Sequence, residues 1–131
     1  MRVIYVVIPV DEEVRAWLEE QGLEFDPSGD ARNPTPQEID TALARAGIER
    51  CSHSANVLSG RDRAWTELNI NEYLGEDRPC QFGFSKGCYE LVTDVVAAIS
   101  RIVGPLLLYP STGSELRVLH GDRRMEVPDP D

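Results

Sequence analysis

The chain opens on an apolar run that predicts a buried strand. Residues 2–8 are β-branched or aromatic in all but one position and carry no polar alternation, which is typical of a strand covered on both faces. Asp11 is a suitable N-cap for a helix after this strand, with an apolar stripe of Val14, Trp17 and Leu18. Gly22 is a natural end for that helix.

Two more helices follow from apolar spacing and capping residues. The segment 35–38, Thr-Pro-Gln-Glu, forms a capping box with proline at the first helical position. It predicts a helix that ends at Gly47. The third helix has one broad apolar face from Leu91 to Val103 and ends at the Gly104-Pro105 pair.

Alternating or short apolar runs predict four further strands. In residues 65–73, Leu68 and Ile70 point to one side, whereas Glu67, Asn69 and Asn71 point to the other. The remaining three are residues 80–85, 106–109 and 115–119. Residues 48–64 carry no pattern that assigns them to a helix or a strand.

These elements give the order βααββαββ and an α+β fold. The predicted architecture is a single-layer mixed sheet of about five strands with helices mainly on one face, as in a ferredoxin-like or related sandwich. The first strand and residues 80–85 form its central pair. Residues 1–121 form one domain, and residues 122–131 form a flexible acidic tail. Strands 2–8 and 106–109 are apolar on both sides, so residues 48–64, the tail or another molecule should cover part of the second face.

Charge and cysteine content restrict the partners and the compartment. The 131 residues include 13 Lys+Arg and 23 Asp+Glu, for a net charge of −10, which argues against nucleic acid or an anionic membrane as a partner. No apolar run is long enough to span a membrane or to act as a secretory signal. An odd count of three cysteines suits a reducing compartment. We therefore expect a cytoplasmic protein.

Two segments carry candidate chemistry, each with a structural alternative. Cys51 and His53 could supply a nucleophile and a base, but no third orienting group or known motif accompanies them. Ser85, Lys86 and Gly87 precede the third helix and could bind an anion through backbone N–H groups, although a tight turn between strand and helix is the favoured explanation. The cysteines lack the paired spacing of a zinc site. We expect no metal and no cofactor.

Residues 84–113 resemble small acidic bacterial immunity proteins, which neutralise polymorphic or contact-delivered toxins. The resemblance rests on Phe84-Ser-Lys-Gly-Cys-Tyr-Glu-Leu91 and on Ile102-Val-Gly-Pro-Leu-Leu-Leu-Tyr-Pro-Ser-Thr-Gly113. It implies a single-domain cytosolic protein that blocks a toxin by binding it, and it assigns no catalytic residue.

The favoured function is a non-enzymatic protein-binding domain, with a basic toxin domain as one partner. The predicted binding residues follow the polar side of strand 65–73 and the turn after it: Glu67, Asn69, Asn71, Glu72, Glu76 and Asp77. The alternative is a small dimeric ferredoxin-like enzyme or ligand-binding domain with a pocket near Cys51, His53 or Lys86. A homodimer through the apolar open face of the sheet is a further expectation.

Overall fold

The computed structural model describes residues 3–23, 31–52, 56–71, 73–113 and 115–128. Its helices are α1 (Glu12–Glu20), α2 (Pro36–Ala46) and α3 (Tyr89–Val103), and a 3₁₀ turn covers Arg61–Arg63. Its strands are β1 (Ile4–Pro9), β2 (Glu49–Arg50), β3 (Val57–Ser59), β4 (Trp65–Ile70), β5 (Phe82–Gly87), β6 (Leu106–Pro110), β7 (Arg117–His120) and β8 (Arg123–Glu126).

The eight strands form one sheet in which every neighbouring pair is antiparallel. Their spatial order is β2-β3-β4-β5-β1-β6-β7-β8. β1 lies near the middle, where Tyr5 is opposite Phe84 of β5 on one side and Pro110 of β6 on the other. The expected pairing of the first strand with the strand around residue 82 is therefore present.

The predicted sheet was wrong in strand number, strand order and direction. Eight antiparallel strands replace a mixed sheet of about five, and βααββαββ omits β2, β3 and β8. β2 and β3 have two and three residues, too few to show alternation. β8 reads Arg-Arg-Met-Glu and lies where the sequence predicted a flexible tail. These segments are extended because a neighbouring strand offers them hydrogen bonds, a cause that their own residues do not reveal.

The larger core lies between the sheet and helices α2 and α3. Helix α3 buries one continuous side against β4, β5, β6 and β7, with Val92, Val95 and Ile99 fully enclosed. Helix α2 adds Ile39 and Leu43 beside it. Each enclosed aliphatic side chain contributes roughly 1.5–3 kcal/mol, so this side of the sheet dominates the stability of the fold.

A smaller core lies on the opposite side of the sheet, under α1. Leu18 of α1 is fully buried with Leu107 of β6, Val118 of β7 and Val127 after β8. Helices therefore occupy both sides, α2 and α3 on one and α1 on the other, where the sequence predicted helices mainly on one face. The sequence assigned the cover of the second face to residues 48–64, the tail or another molecule. In the structure α1 supplies most of it, with Val127 of the expected tail, and it lies over the β6–β8 end of the sheet.

Candidate binding face of the sheet

The uncovered part of the second face begins where the α1 core ends. Directly opposite residues of an antiparallel sheet point to the same side, so Asn69, Gly83, Val6 and Tyr109 form one row across four strands. A second row joins Glu67, Ser85 and Ile4. We define the open face by the following residues: Ile4, Val6, Ile8, Trp65, Glu67, Asn69, Gly83, Ser85 and Tyr109.

The β1 half of the open face is apolar and accessible to solvent. Ile4 is 51% exposed and Val6 is 40% exposed, and Ile8 and Tyr109 of the neighbouring β6 are also exposed. Isolated exposed aliphatic side chains are common, but a run of three on one strand with an aromatic neighbour forms a contiguous patch. Patches of this kind are typical of interaction surfaces.

Gly83 forms a shallow floor between the apolar and the polar half. A Cβ atom at this position would lie 2.8 Å from the carbonyl oxygen of Tyr5, so a larger residue would displace the neighbouring strand. On the polar side, the Asn69 amide donates to the Ser85 hydroxyl at 3.0 Å. The open face therefore combines an apolar ridge with oriented hydrogen-bonding groups.

A β-bulge in β5 fixes the polar side. Thr66 is opposite Gly87 and Glu67 is opposite Ser85, so Lys86 is the extra residue. Lys86 and Gly87 both have positive φ, 63° and 85°. This geometry brings the Lys86 amine to 3.9 Å from the Glu67 carboxylate. The one lysine of the sequence is thus held beside the open face by backbone shape.

Helix α1, on the same side of the sheet as the open face, carries an acidic surface that we call the border. The helix packs on the same side of the sheet through Leu18. Five of its acidic side chains, including the cap residue, are exposed: Asp11, Glu12, Glu13, Glu19 and Glu20. Asp11 also accepts a hydrogen bond from the Val14 amide as the helix cap. Against these acids the segment has one base, Arg15, so the border favours a positively charged neighbour.

The predicted binding residues divide between two parts of the molecule. Glu67 and Asn69 lie on the open face, and Asn69 and Asn71 line a cleft of about 520 Å³ at the end of β4. Glu76 and Asp77 lie in an exposed turn that packs on the start of α2, where the Gln37 amide donates to the Glu76 carbonyl. Glu72 is outside the described residues.

The turn with Glu76 has its own internal contact. The Tyr73 hydroxyl donates to the Glu76 carboxylate at 2.7 Å. This hydrogen bond raises the pKa of the Tyr73 phenol. Both side chains are exposed, and α2 packs on the side of the sheet opposite the open face. Tyr73 lines the same cleft as Asn69, so the turn meets the end of β4 through Tyr73, whereas Glu76 packs on the start of α2.

The residues of the anion-binding hypothesis, Ser85, Lys86 and Gly87, are the last three residues of β5 and include its bulge. The Lys86 amide donates to the Val3 carbonyl at 3.0 Å, and the Cys88 amide donates to the Trp65 carbonyl at 2.9 Å. Ser85 accepts from Asn69. Two amides next to the helix start are thus used within the fold, and Cys88 is the N-cap of α3.

The three cysteines are free and differ in burial. Cys51 is half-buried after β2, and its candidate partner His53 is outside the described residues. Cys80 is buried, and its thiol contacts the Pro34 carbonyl at 3.4 Å. Burial raises the pKa of the Cys80 thiol, so this residue is a packing element rather than a nucleophile.

The sequence placed the predicted binding residues on the polar strand 65–73 and indicated the apolar half of the open face only as a surface that a homodimer or another molecule would cover. Residues 2–8 were expected to be covered on both sides because they lack polar alternation. The sequence feature that indicates an exposed apolar face is the apolar strand 2–8 beside the polar strand 65–70. A sequence cannot tell how far α1 reaches across the sheet.

Comparison of the chain with family models, with curated proteins and with solved structures finds no match. None of the helices in the described ranges is long and apolar enough to cross a bilayer.

Proposed function

We propose that this protein is a non-enzymatic protein-binding domain that uses the open face to hold a partner. The observation that supports this proposal is the exposed apolar ridge of Ile4, Val6 and Ile8 with Tyr109. Burying such a ridge contributes roughly 25 cal/mol per Å² of apolar area. The adjacent Asn69, Ser85 and Glu67 provide the hydrogen-bonding rim found around apolar interface centres.

The chemistry of the border selects the kind of partner. An apolar centre beside the acidic α1, on a chain with net charge −10, fits a partner with an apolar patch and a basic rim. A second copy of the chain on this face would bring like charges together. We therefore favour a basic protein over a homodimer through the open face.

A toxin domain neutralised in the cytoplasm is the partner class we propose. This step rests on the resemblance of residues 84–113 to immunity proteins. Those residues form the end of β5, α3 and β6, which support the open face from below and carry Tyr109. The three free cysteines are consistent with a reducing compartment.

Parallel capture from the native source with two matched variants tests the proposal. Val6→Lys places a charge in the centre of the ridge, and Leu74→Lys makes the same change at an exposed residue in the turn after β4. Wild-type protein and the Leu74→Lys control should retain the same partner at low salt. The Val6→Lys variant should lose it at least tenfold, which corresponds to about 1.4 kcal/mol.

Circular dichroism and thermal unfolding establish that both variants are folded. The proposal is wrong if the Val6→Lys variant retains the partner as well as wild type does. It is also wrong if no protein is enriched by wild type over the blank resin.

A further inference from the structure

The two ends of the sheet differ in what they offer to another strand. β2 has two residues, whereas β8 has four and lies at the opposite edge. In β8, Arg123, Arg124 and Glu126 are exposed and Met125 is half-buried. An edge strand with free backbone groups is a template for strand addition. β8 is the edge long enough to serve as one.

The pairing of β7 with β8 determines which backbone groups of β8 point outward. The Val127 amide donates to the Leu116 carbonyl at 2.9 Å, so residues 127, 125 and 123 direct their backbone groups to β7. Arg124 and Glu126 lie between them, opposite Leu119 and Arg117. Their N–H and C=O groups therefore face away from the sheet.

The side chains of β8 select one register for a second copy. A two-fold axis perpendicular to the sheet keeps each side chain on its own face, so β8 can pair with itself about any of its four residues. Pairing about Arg123 or about Glu126 sets that charged residue opposite its own copy at the axis. Pairing about Arg124 sets two Arg124 residues opposite each other and Asp122 opposite Glu126 of the second copy. Pairing about Met125 sets Arg124 opposite Glu126 twice. Like charges directly opposite are destabilising, and opposite charges stabilise the pair.

We propose that the chain forms a two-fold homodimer through β8, with Met125 of both copies at the axis. Both Arg124–Glu126 pairs then exchange their outward N–H and C=O groups, and the two sheets join into one antiparallel sheet of sixteen strands. Arg124 is already oriented by the Glu90 carboxylate at 2.9 and 3.2 Å. The half-buried Met125 gains apolar contact with its copy.

This dimer is independent of the proposed open-face partner and leaves that face free. A two-fold axis perpendicular to the sheet places both open faces on the same side of the assembly. The dimer therefore presents two open faces side by side, which suits a partner that is itself paired or repeated. The net charge of −10 per chain opposes association of two copies at low salt. The dimer is therefore tested near physiological ionic strength, where charges more than about 8 Å apart are screened.

Sedimentation equilibrium of the full chain gives the first test. Wild type should be a dimer at high concentration and dissociate on dilution. Glu126→Pro removes an outward N–H without touching the β7 ladder and should give a monomer. Glu126→Gln keeps the N–H and should still dimerise, with weaker affinity. A wild type that stays monomeric at its highest soluble concentration overturns the proposal, as does a folded Glu126→Pro variant that dimerises like wild type.

A charge exchange tests the contact without proline. Glu126→Arg alone and Arg124→Glu alone each set like charges opposite, and each should weaken its homodimer about tenfold or more. Mixing the two variants pairs unlike charges at both positions and should restore the dimer. A mixture that associates no better than its components overturns the proposed register.

Cross-linking provides a readout of the axis itself. Opposite residues of a non-hydrogen-bonded pair have Cα atoms about 4.5 Å apart, within disulfide range. In a background with Cys51→Ser and Cys88→Ser, Met125→Cys should oxidise to a covalent dimer. Arg123→Cys, whose copies are far apart in this register, should not. Equal cross-linking of the two variants, or none by Met125→Cys, overturns the register.

Discussion

Gly87 occupies a backbone position that other residues cannot adopt without moving β4. Its φ is 85°, and a Cβ atom there would lie 2.0 Å from the carbonyl oxygen of Trp65. Gly47 at the end of α2 has a similar φ of 71°, but a Cβ atom added there would meet nothing within 4 Å. The two glycines therefore separate the cost of the left-handed conformation from the cost of a steric clash.

We expect Gly47→Ala to lower the free energy of unfolding by about 1 kcal/mol, the cost of a left-handed alanine. Gly87→Ala should cost about 3 kcal/mol or more, because the β4–β5 pairing must also shift. Urea unfolding of both variants measures the difference. Equal losses would show that the bulge accommodates a side chain.

Glu38 links a helix cap to an ion pair. Its carboxylate receives two bonds of 2.7 Å from the Arg32 guanidinium and completes the predicted capping box with Thr35. The Arg32 hydrogen bonds, together with the Thr35 amide, lower the pKa of Glu38 to about 2. An unfolded glutamate titrates at about 4.3. The stabilisation is thus complete above that pH and is lost as the pH falls towards 2.

Glu38→Gln keeps an N3 side chain that can bond the cap but removes the charge. The difference in free energy of unfolding between wild type and variant should be about 1 kcal/mol at pH 7. It should shrink steadily between pH 5 and pH 2. Urea unfolding across this range gives the difference, and a value independent of pH would contradict the assigned ion pair.

At the scale of elements, Arg117 connects β7 to α3. Arg117 is 7% exposed, and its guanidinium lies 4.1 Å from the centre of the Tyr89 ring and donates to Thr93 Oγ1 at 2.8 Å. It also pairs with Glu90 at 3.1 Å. Burial raises the pKa of the Tyr89 phenol to about 12. The contact between β7 and α3 is thus made here by the buried guanidinium of Arg117 and not by an aliphatic side chain.

Arg117→Lys should lower the free energy of unfolding by about 3 kcal/mol, because lysine lacks the planar fork and stacking surface. Arg101→Lys is the matched control, since Arg101 forms an exposed pair with Asp122. This control should cost less than about 0.5 kcal/mol. Chemical denaturation compares the two, and a similar small loss for both would show that Arg117 is not a structural connection.

The elements with strong internal patterns are those that the sequence predicted. The capping box and αL end of α2 are confirmed, as are the long apolar side of α3 and the strand from Leu106. β2, β3 and β8 were missed because their extended conformation depends on neighbouring strands. A strand of two residues has no periodicity to detect.

At the scale of the whole molecule, the effect of the acidic residues on association with a partner should depend on where they lie on the surface. Glu19→Lys with Glu20→Lys removes acid from the α1 border and places bases at a helix C-terminus, where they suit the helix dipole. This variant should remain folded and bind the open-face partner with an on-rate about tenfold lower at low salt. Glu76→Lys with Asp77→Lys makes the same charge change at the turn beside α2.

Stopped-flow association at two salt concentrations compares these double variants. The open-face proposal expects a loss for the α1 variant and a much smaller change for the turn variant. The reverse order would assign binding to the turn, which the sequence had also favoured. In either case, high salt should reduce the difference, since exposed charges are screened.

The sequence alone determined the local elements and the overall acidity. Capping residues, apolar spacing and glycine ends act between residues a few positions apart, so α2, α3 and β1 could be inferred from their own segments. The polar side of β4 and the presence of an uncovered apolar strand were inferred in the same way.

The tertiary structure decided which surfaces those elements leave exposed. α1 packs over β6–β8 and stops before β1, and the bulge at Lys86 orients β5 towards Glu67. Strand addition at both edges, not local pattern, produced β2, β3 and β8. These outcomes depend on contacts between residues far apart in the chain, whose free energies no single segment encodes. The open face and the β8 edge therefore appear when the sheet is assembled.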